Sequence, residues 1–131
     1  MATLETVNIE GTEDTPSVFL EQSSGVIRFS GRSLPEDVQE FYVPLLDWIS
    51  AYLEDPQPKT HAIFKFDYFN TASSKKILDL VESLKELEEN GKEIIVDWHY
   101  LEDDDDMKEA GEQFSEFSEI SFNFVEEKDE E

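Results

Sequence analysis

The sequence predicts an α/β fold: a single domain with a mixed β-sheet, an N-terminal antiparallel meander followed by β-α-β-α-β units, and helices packed on the sheet. Three observations predict it. Short alternating apolar and polar runs fill the first 30 residues, separated by turn residues. Beyond them strand-period and helix-period segments alternate, which favours right-handed crossovers and parallel pairing. Leu, Ile, Val and Phe make up about 28% of the chain, above the ~20% below which disorder becomes the default. A chain of 131 residues can bury one real core.

The elements follow in order. Leu4 to Glu10 alternates imperfectly and forms a first strand, which Gly11 to Pro16 breaks. Val18 to Glu21 is a second strand, Ser23-Ser24-Gly25 a turn of hairpin length, and Val26 to Ser30 a third strand. A helix comes next, with Val38, Phe41, Tyr42, Leu45, Ile49 and Tyr52 on one face. Pro44 lies inside that pattern, where it removes a hydrogen bond and clashes with the preceding turn. A short first helix or a kink is therefore expected, with the main helix starting near Val43. Asp55-Pro56-Gln57-Pro58 ends it.

His61 to Phe69 reads as a buried strand with Ala62, Phe64, Phe66 and Tyr68 on one face and Ile63, Lys65, Asp67 and Phe69 on the other. It runs directly into a helix whose apolar stripe is Ile77, Leu80, Val81, Leu84 and Leu87, stopped at Glu89-Asn90-Gly91. Glu93 to Tyr100 is the next strand, and the acidic connection Leu101 to Asp106 caps a helix from about Met107 to Phe117. Ile120, Phe122 and Phe124 mark a last short strand. The domain is expected to span residues 1–125, with 126–131 a disordered acidic tail.

Composition excludes several functions. The net charge is −23, from 33 acidic and 10 basic side chains. A basic face for nucleic acid is missing, and the same charge opposes docking on anionic membranes. A cationic protein surface is the natural partner. Without cysteine there are no disulfides, thiol nucleophiles or thiolate metal sites. No signal peptide and no bilayer-spanning apolar run is visible, so a cytoplasmic protein is expected. The two histidines, His61 and His99, lie far apart in sequence, and no hydrolase, P-loop, zincin or dinucleotide motif occurs. Neither an enzyme nor a cofactor is expected. Asp103 to Asp106 fails the calcium-loop pattern, because Met107 and Lys108 fall where a ligand and a glycine are needed. It reads as a helix-capping run that can attract a partner's Lys and Arg residues, with no metal.

The strand–helix junction carries the functional reading. Asn70 and Thr71 are both good N-caps, Ser73 and Ser74 add hydroxyls to the first turn, and Lys75 and Lys76 follow. Free N–H groups and the positive end of the helix dipole favour a phosphate there, whether bound or covalently attached. Plain helix capping explains the same residues. The functional reading makes Thr71 a phosphorylation switch, with Tyr68, Phe69, Asn70, Ser73, Ser74 and Lys75 contacting a partner. The rival reading is a constitutive acidic adaptor or nucleic-acid mimic acting through Asp103–Asp106 and the tail.

Five stretches in this order resemble the SiaC family of bacterial regulatory phosphoproteins: Ile9 to Pro16, Ile27 to Ser33, Phe41 to Trp48, Tyr68 to Lys75 and Tyr100 to Met107. The resemblance implies a STAS-like layout similar to that of the anti-sigma-factor antagonists. It implies partner switching: a dedicated kinase phosphorylates one Ser or Thr and a PP2C-type phosphatase reverses it. The unmodified form binds a target protein, in the best-known system a diguanylate cyclase. The family's phosphorylated threonine falls on Thr71.

Overall fold

Each strand of the sheet alternates between a buried face and an open one. The computed structural model describes residues 4–128. In chain order its elements are β1 (Val7–Ile9), β2 (Ser17–Glu21), β3 (Val26–Ser33), α1 (Val38–Glu54), β4 (Lys59–Phe69), α2 (Thr71–Glu89), β5 (Glu93–Leu101), α3 (Asp105–Ser118) and β6 (Phe122–Glu127). The six strands lie in the sheet in sequence order. β1–β2 and β2–β3 pair antiparallel, while β3–β4, β4–β5 and β5–β6 pair parallel. The meander and the crossovers expected from the sequence are both present.

Three successive parallel crossovers each advance one strand, and the right-handed sense such units take puts their helices on the same side of the sheet. Val18, Leu20, Ile27, Phe29, Ala62, Phe64, Val96 and Trp98 face that side and are buried against α1, α2 and α3. An aromatic row crosses the four parallel strands: Phe29 to Phe64 at 5.9 Å, Phe64 to Trp98 at 5.7 Å and Trp98 to Phe122 at 6.0 Å between centroids. Arg28 and Lys65 are exposed on the opposite, uncovered face, and His61 bonds Asp97 there at 2.7 Å.

Two glycines are set by close approach. Gly25 ends the β2–β3 turn with φ +70, and a Cβ there would stand 2.6 Å from the Lys59 carbonyl oxygen. Gly111 brings α3 against the indole of Trp98, where a Cβ would lie 2.4 Å from Cδ1. The same indole donates its N–H to the Met107 carbonyl at 2.9 Å, locking α3 onto β5.

The structure corrects three expectations. α1 is one uninterrupted helix from Val38, capped by Asp37, and contains Pro44. The lost hydrogen bond belongs to the Glu40 carbonyl; Glu40 and Pro44 are both exposed, so water can replace it. β6 continues to Glu127 rather than ending at Phe124. Glu126 and Glu127, assigned to the tail, therefore close the sheet, and Glu127 pairs with Lys65 at 3.2 Å. The remainder of the expected tail, 129–131, lies outside the described residues.

The third correction concerns β4. Gly31 pairs with Phe66 but Arg32 with Tyr68, so Asp67 is an extra residue opposite β3. Such a bulge reverses the alternation beyond it. Phe69, expected on the face opposite Phe66, turns inward and stacks with Phe114 at 6.0 Å. Tyr68, expected on the same face as Phe66, is 46% exposed.

Candidate functional site

The end of β4 delivers the chain to the mouth of α2. Asn70 is the N-cap: its Oδ1 accepts the Ser73 N–H at 2.9 Å, and its own N–H bonds the Ser33 carbonyl at 3.1 Å. The cap is thus made by Asn70 and not by Thr71. Thr71 is the first helical residue and is exposed, as is Ala72. The first N–H groups of a helix have no partner within it. Asn70 takes that of Ser73, and the other orphan N–H positions of the first turn fall on Thr71 and Ala72, both exposed residues. No acidic residue occupies this first turn. The positive end of the dipole is therefore not offset from within the helix.

The expected partner-contact residues divide. Tyr68 and Lys75 are exposed, and Asn70 and Ser74 are half-buried. Phe69 is half-buried and largely spent on the core, edge-on to Trp98 at 6.4 Å and stacked on Phe114. Ser73 does not face a partner. It is 0% exposed, and its Oγ accepts from Ser33 Oγ at 2.9 Å. Ser33 Oγ in turn lies 2.5 Å from Tyr42 Oη. Burial, opposed by the hydrogen bonds to Ser33 and Ser73, pushes the Tyr42 phenol up to about 12. This neutral chain of three hydroxyls ties α1, β3 and α2 together beneath Thr71.

Sequence reasoning missed two neighbours. Arg32, paired with Tyr68 across the bulge, places its guanidinium 5.6 Å from the centre of the tyrosine ring and donates Nε–H to the Glu13 carbonyl at 3.1 Å. It adds a cation at the strand end that leads to Thr71. A groove of about 210 Å³ also opens beside the end of β4, lined by Asp67, Tyr68, Phe69, Asp104, Asp106, Met107 and Ala110. It exists because β4–β5 pairing stops at Phe64–Trp98, although both strands continue. No local sequence pattern encodes that separation; the acidic run at Asp103–Asp106 was the only hint.

That run caps α3, as expected. Asp104 Oδ1 accepts the Met107 N–H at 3.0 Å, and Asp105 and Asp106 lie in the first turn. Among the described residues no three potential ligand side chains converge as a metal site would require. The histidines lie apart on the open sheet face. His61 bonds Asp97, which also accepts from Asn123 Nδ2 at 3.1 Å, and His99 lies 3.4 Å from Glu127. Burial raises the Asp97 carboxyl, but the bond from His61, with help from Asn123 and the charge of the imidazoles, holds it below the usual range.

Fold and site define a class: a two-layer α/β domain with an exposed threonine at the mouth of a helix that follows a central strand. The SiaC family of regulatory phosphoproteins matches residues 9–127, and the chain belongs to that family. It is 29% identical over 119 residues to an uncharacterised protein of Pseudomonas aeruginosa strain UCBPP-PA14, a match covering 91% of this chain and 93% of that one. The crystal structure of apo-SiaC from Pseudomonas aeruginosa superposes with a TM-score of 0.81 at 29% identity, covering 95% of this chain and 99% of the other. SiaC in complex with the diguanylate cyclase SiaD, which it activates, superposes with a TM-score of 0.82 at 28% identity, covering 94% of this chain and 99% of that one. The α/β fold expected from the sequence is the fold of these proteins.

Proposed function

We propose that this chain is a non-enzymatic partner switch that binds and activates a diguanylate cyclase while Thr71 is unmodified, and releases it when Thr71 is phosphorylated. A protein kinase adds the phosphate and a PP2C-type phosphatase removes it. The observation that carries this reading is the exposed Thr71 on a helix mouth capped independently by Asn70. A modification there leaves the cap intact. The free N–H groups of the first turn and Lys75 can bond the added oxygens, so the fold tolerates the phosphate.

The same group spoils an interface built around a small neutral hydroxyl. It adds about −1.5 to −2 charges and a tightly held hydration shell. A loss of about 1–3 kcal/mol at the interface lowers affinity five- to 150-fold, enough to empty the complex. The SiaD cyclase of Pseudomonas aeruginosa is the first target to test, alongside cyclases captured from the native cell.

The test measures binding of the cyclase to the unmodified protein, to the Thr71-phosphorylated protein, and to Thr71→Ala and Thr71→Asp. Thr71→Ala is expected to bind within about two-fold of the unmodified chain, and the phosphorylated form at least five-fold more weakly. Equal affinity across all four sinks the switch. Intact mass and peptide mapping of protein from its native cell should place the phosphate on Thr71.

A further inference from the structure

We propose that the groove between the end of β4 and the start of α3 receives one arginine or lysine side chain of the target protein, the apolar stem lying on its floor and the cationic head meeting its rim. This deepens, and rests on, the reading of the α2 mouth as the target-contact surface. Phe69, Met107 and Ala110 make the floor apolar, and Asp67, Asp104 and Asp106 place three carboxylates around it. Among the described residues no basic side chain lines the groove to neutralise them. A wholly apolar occupant would desolvate carboxylates without pairing them, and an anion would be repelled. A bare divalent cation is poorly served, because among the described residues no three ligand side chains converge.

Size narrows the occupant further. At about 210 Å³ the groove is below the ~300–1,000 Å³ of ordinary small-molecule sites, and suits one long side chain. Arginine and lysine combine an apolar stem with a terminal charge, which is the pattern the lining presents. The groove also adjoins the switch: Phe69 in its floor is two residues before Thr71. A phosphate on Thr71 then opposes docking through bulk and hydration, since its sign alone would favour a cation.

The test uses two probes with apolar stems of similar length and opposite charges, hexylguanidinium and hexanoate, titrated into the ¹⁵N-labelled full chain. Saturable shifts at the Phe69, Met107 and Ala110 amides are expected with hexylguanidinium and not with hexanoate. The triple variant Asp67→Asn, Asp104→Asn, Asp106→Asn removes the charge while Asn keeps the α3 cap. It should weaken hexylguanidinium at least ten-fold, and Ala110→Leu should do the same by filling the floor. Equal shifts with both probes, no saturable shift, or an unchanged affinity in the triple variant overturns the proposal. Cyclase binding that responds to Thr71 phosphorylation but ignores the triple variant overturns the groove alone. Cyclase binding that ignores phosphorylation but falls in the triple variant overturns the switch alone.

Discussion

At the scale of single residues, small changes of side chain separate structure from switching. Asn70 and Thr71 are adjacent and chemically similar, yet one caps α2 and the other stands free. Asn70→Ala should cost about 1 kcal/mol in urea unfolding, whereas Asn70→Asp should nearly preserve stability, since its carboxylate can accept the Ser73 N–H. Thr71→Ala removes no cap and should leave the unfolding midpoint almost unchanged. Gly111 is the opposite case. A methyl there collides with Trp98, so Gly111→Ala is expected to destabilise by about 1–3 kcal/mol in the same assay. The sequence shows a crowd of hydroxyls at residues 70–74; it does not show that Ser73 turns in to bond Ser33, forty residues away.

At the scale of elements, what matters is how local rules yield to their neighbours. Pro44 argued for a short first helix or a kink, but one helix runs from Val38 to Glu54 through it, because one exposed carbonyl can turn to water. Replacing it should recover most of the ~3 kcal/mol helix penalty of proline, less the entropy that proline withholds from the unfolded chain. Pro44→Ala is therefore expected to stabilise by about 2 kcal/mol, read from the urea midpoint at constant m-value. β4 shows the converse. Its alternation is regular up to Phe66, and one unmatched residue, Asp67, then exchanges the roles of Tyr68 and Phe69. The periodicity of the strand is visible in the sequence, but the count of residues opposite it on β3 is not.

At the scale of the whole molecule, charge and acid response dominate. A net charge of −23 repels itself, and salt screens that repulsion over about 8–10 Å at 0.10–0.15 M. The thermal midpoint should rise between 10 and 150 mM salt, with no change in fold by circular dichroism. One contribution to the acid response comes from Asp97. Its carboxyl is held below its ordinary range when folded, so its contribution to stability is present above the unfolded value of about 3.9 and is lost as pH falls through the folded one. Asp97→Asn should therefore be less stable than wild type at neutral pH and lose less on acidification, with the two curves converging below about pH 4. Partner choice belongs at this scale too. Neutralising Asp103 and Asp105, which do not line the groove, and truncating after Glu127 should only slow association with the target; complete loss of binding would favour the acidic-adaptor reading.

The chain's own periodicities determined the order and kind of its elements, its antiparallel opening and the placing of a hydroxyl-rich turn at the start of α2, because each is written in neighbouring residues. The matching stretches from Ile9 to Met107 likewise pointed to the family from sequence alone. Tertiary structure decided which of those hydroxyls reaches solvent, which way Tyr68 and Phe69 face, and that a groove opens between β4 and α3. Those outcomes depend on register between strands and helices distant in sequence. A single unmatched residue, or a strand pairing that stops six residues in, changes them without altering any local pattern.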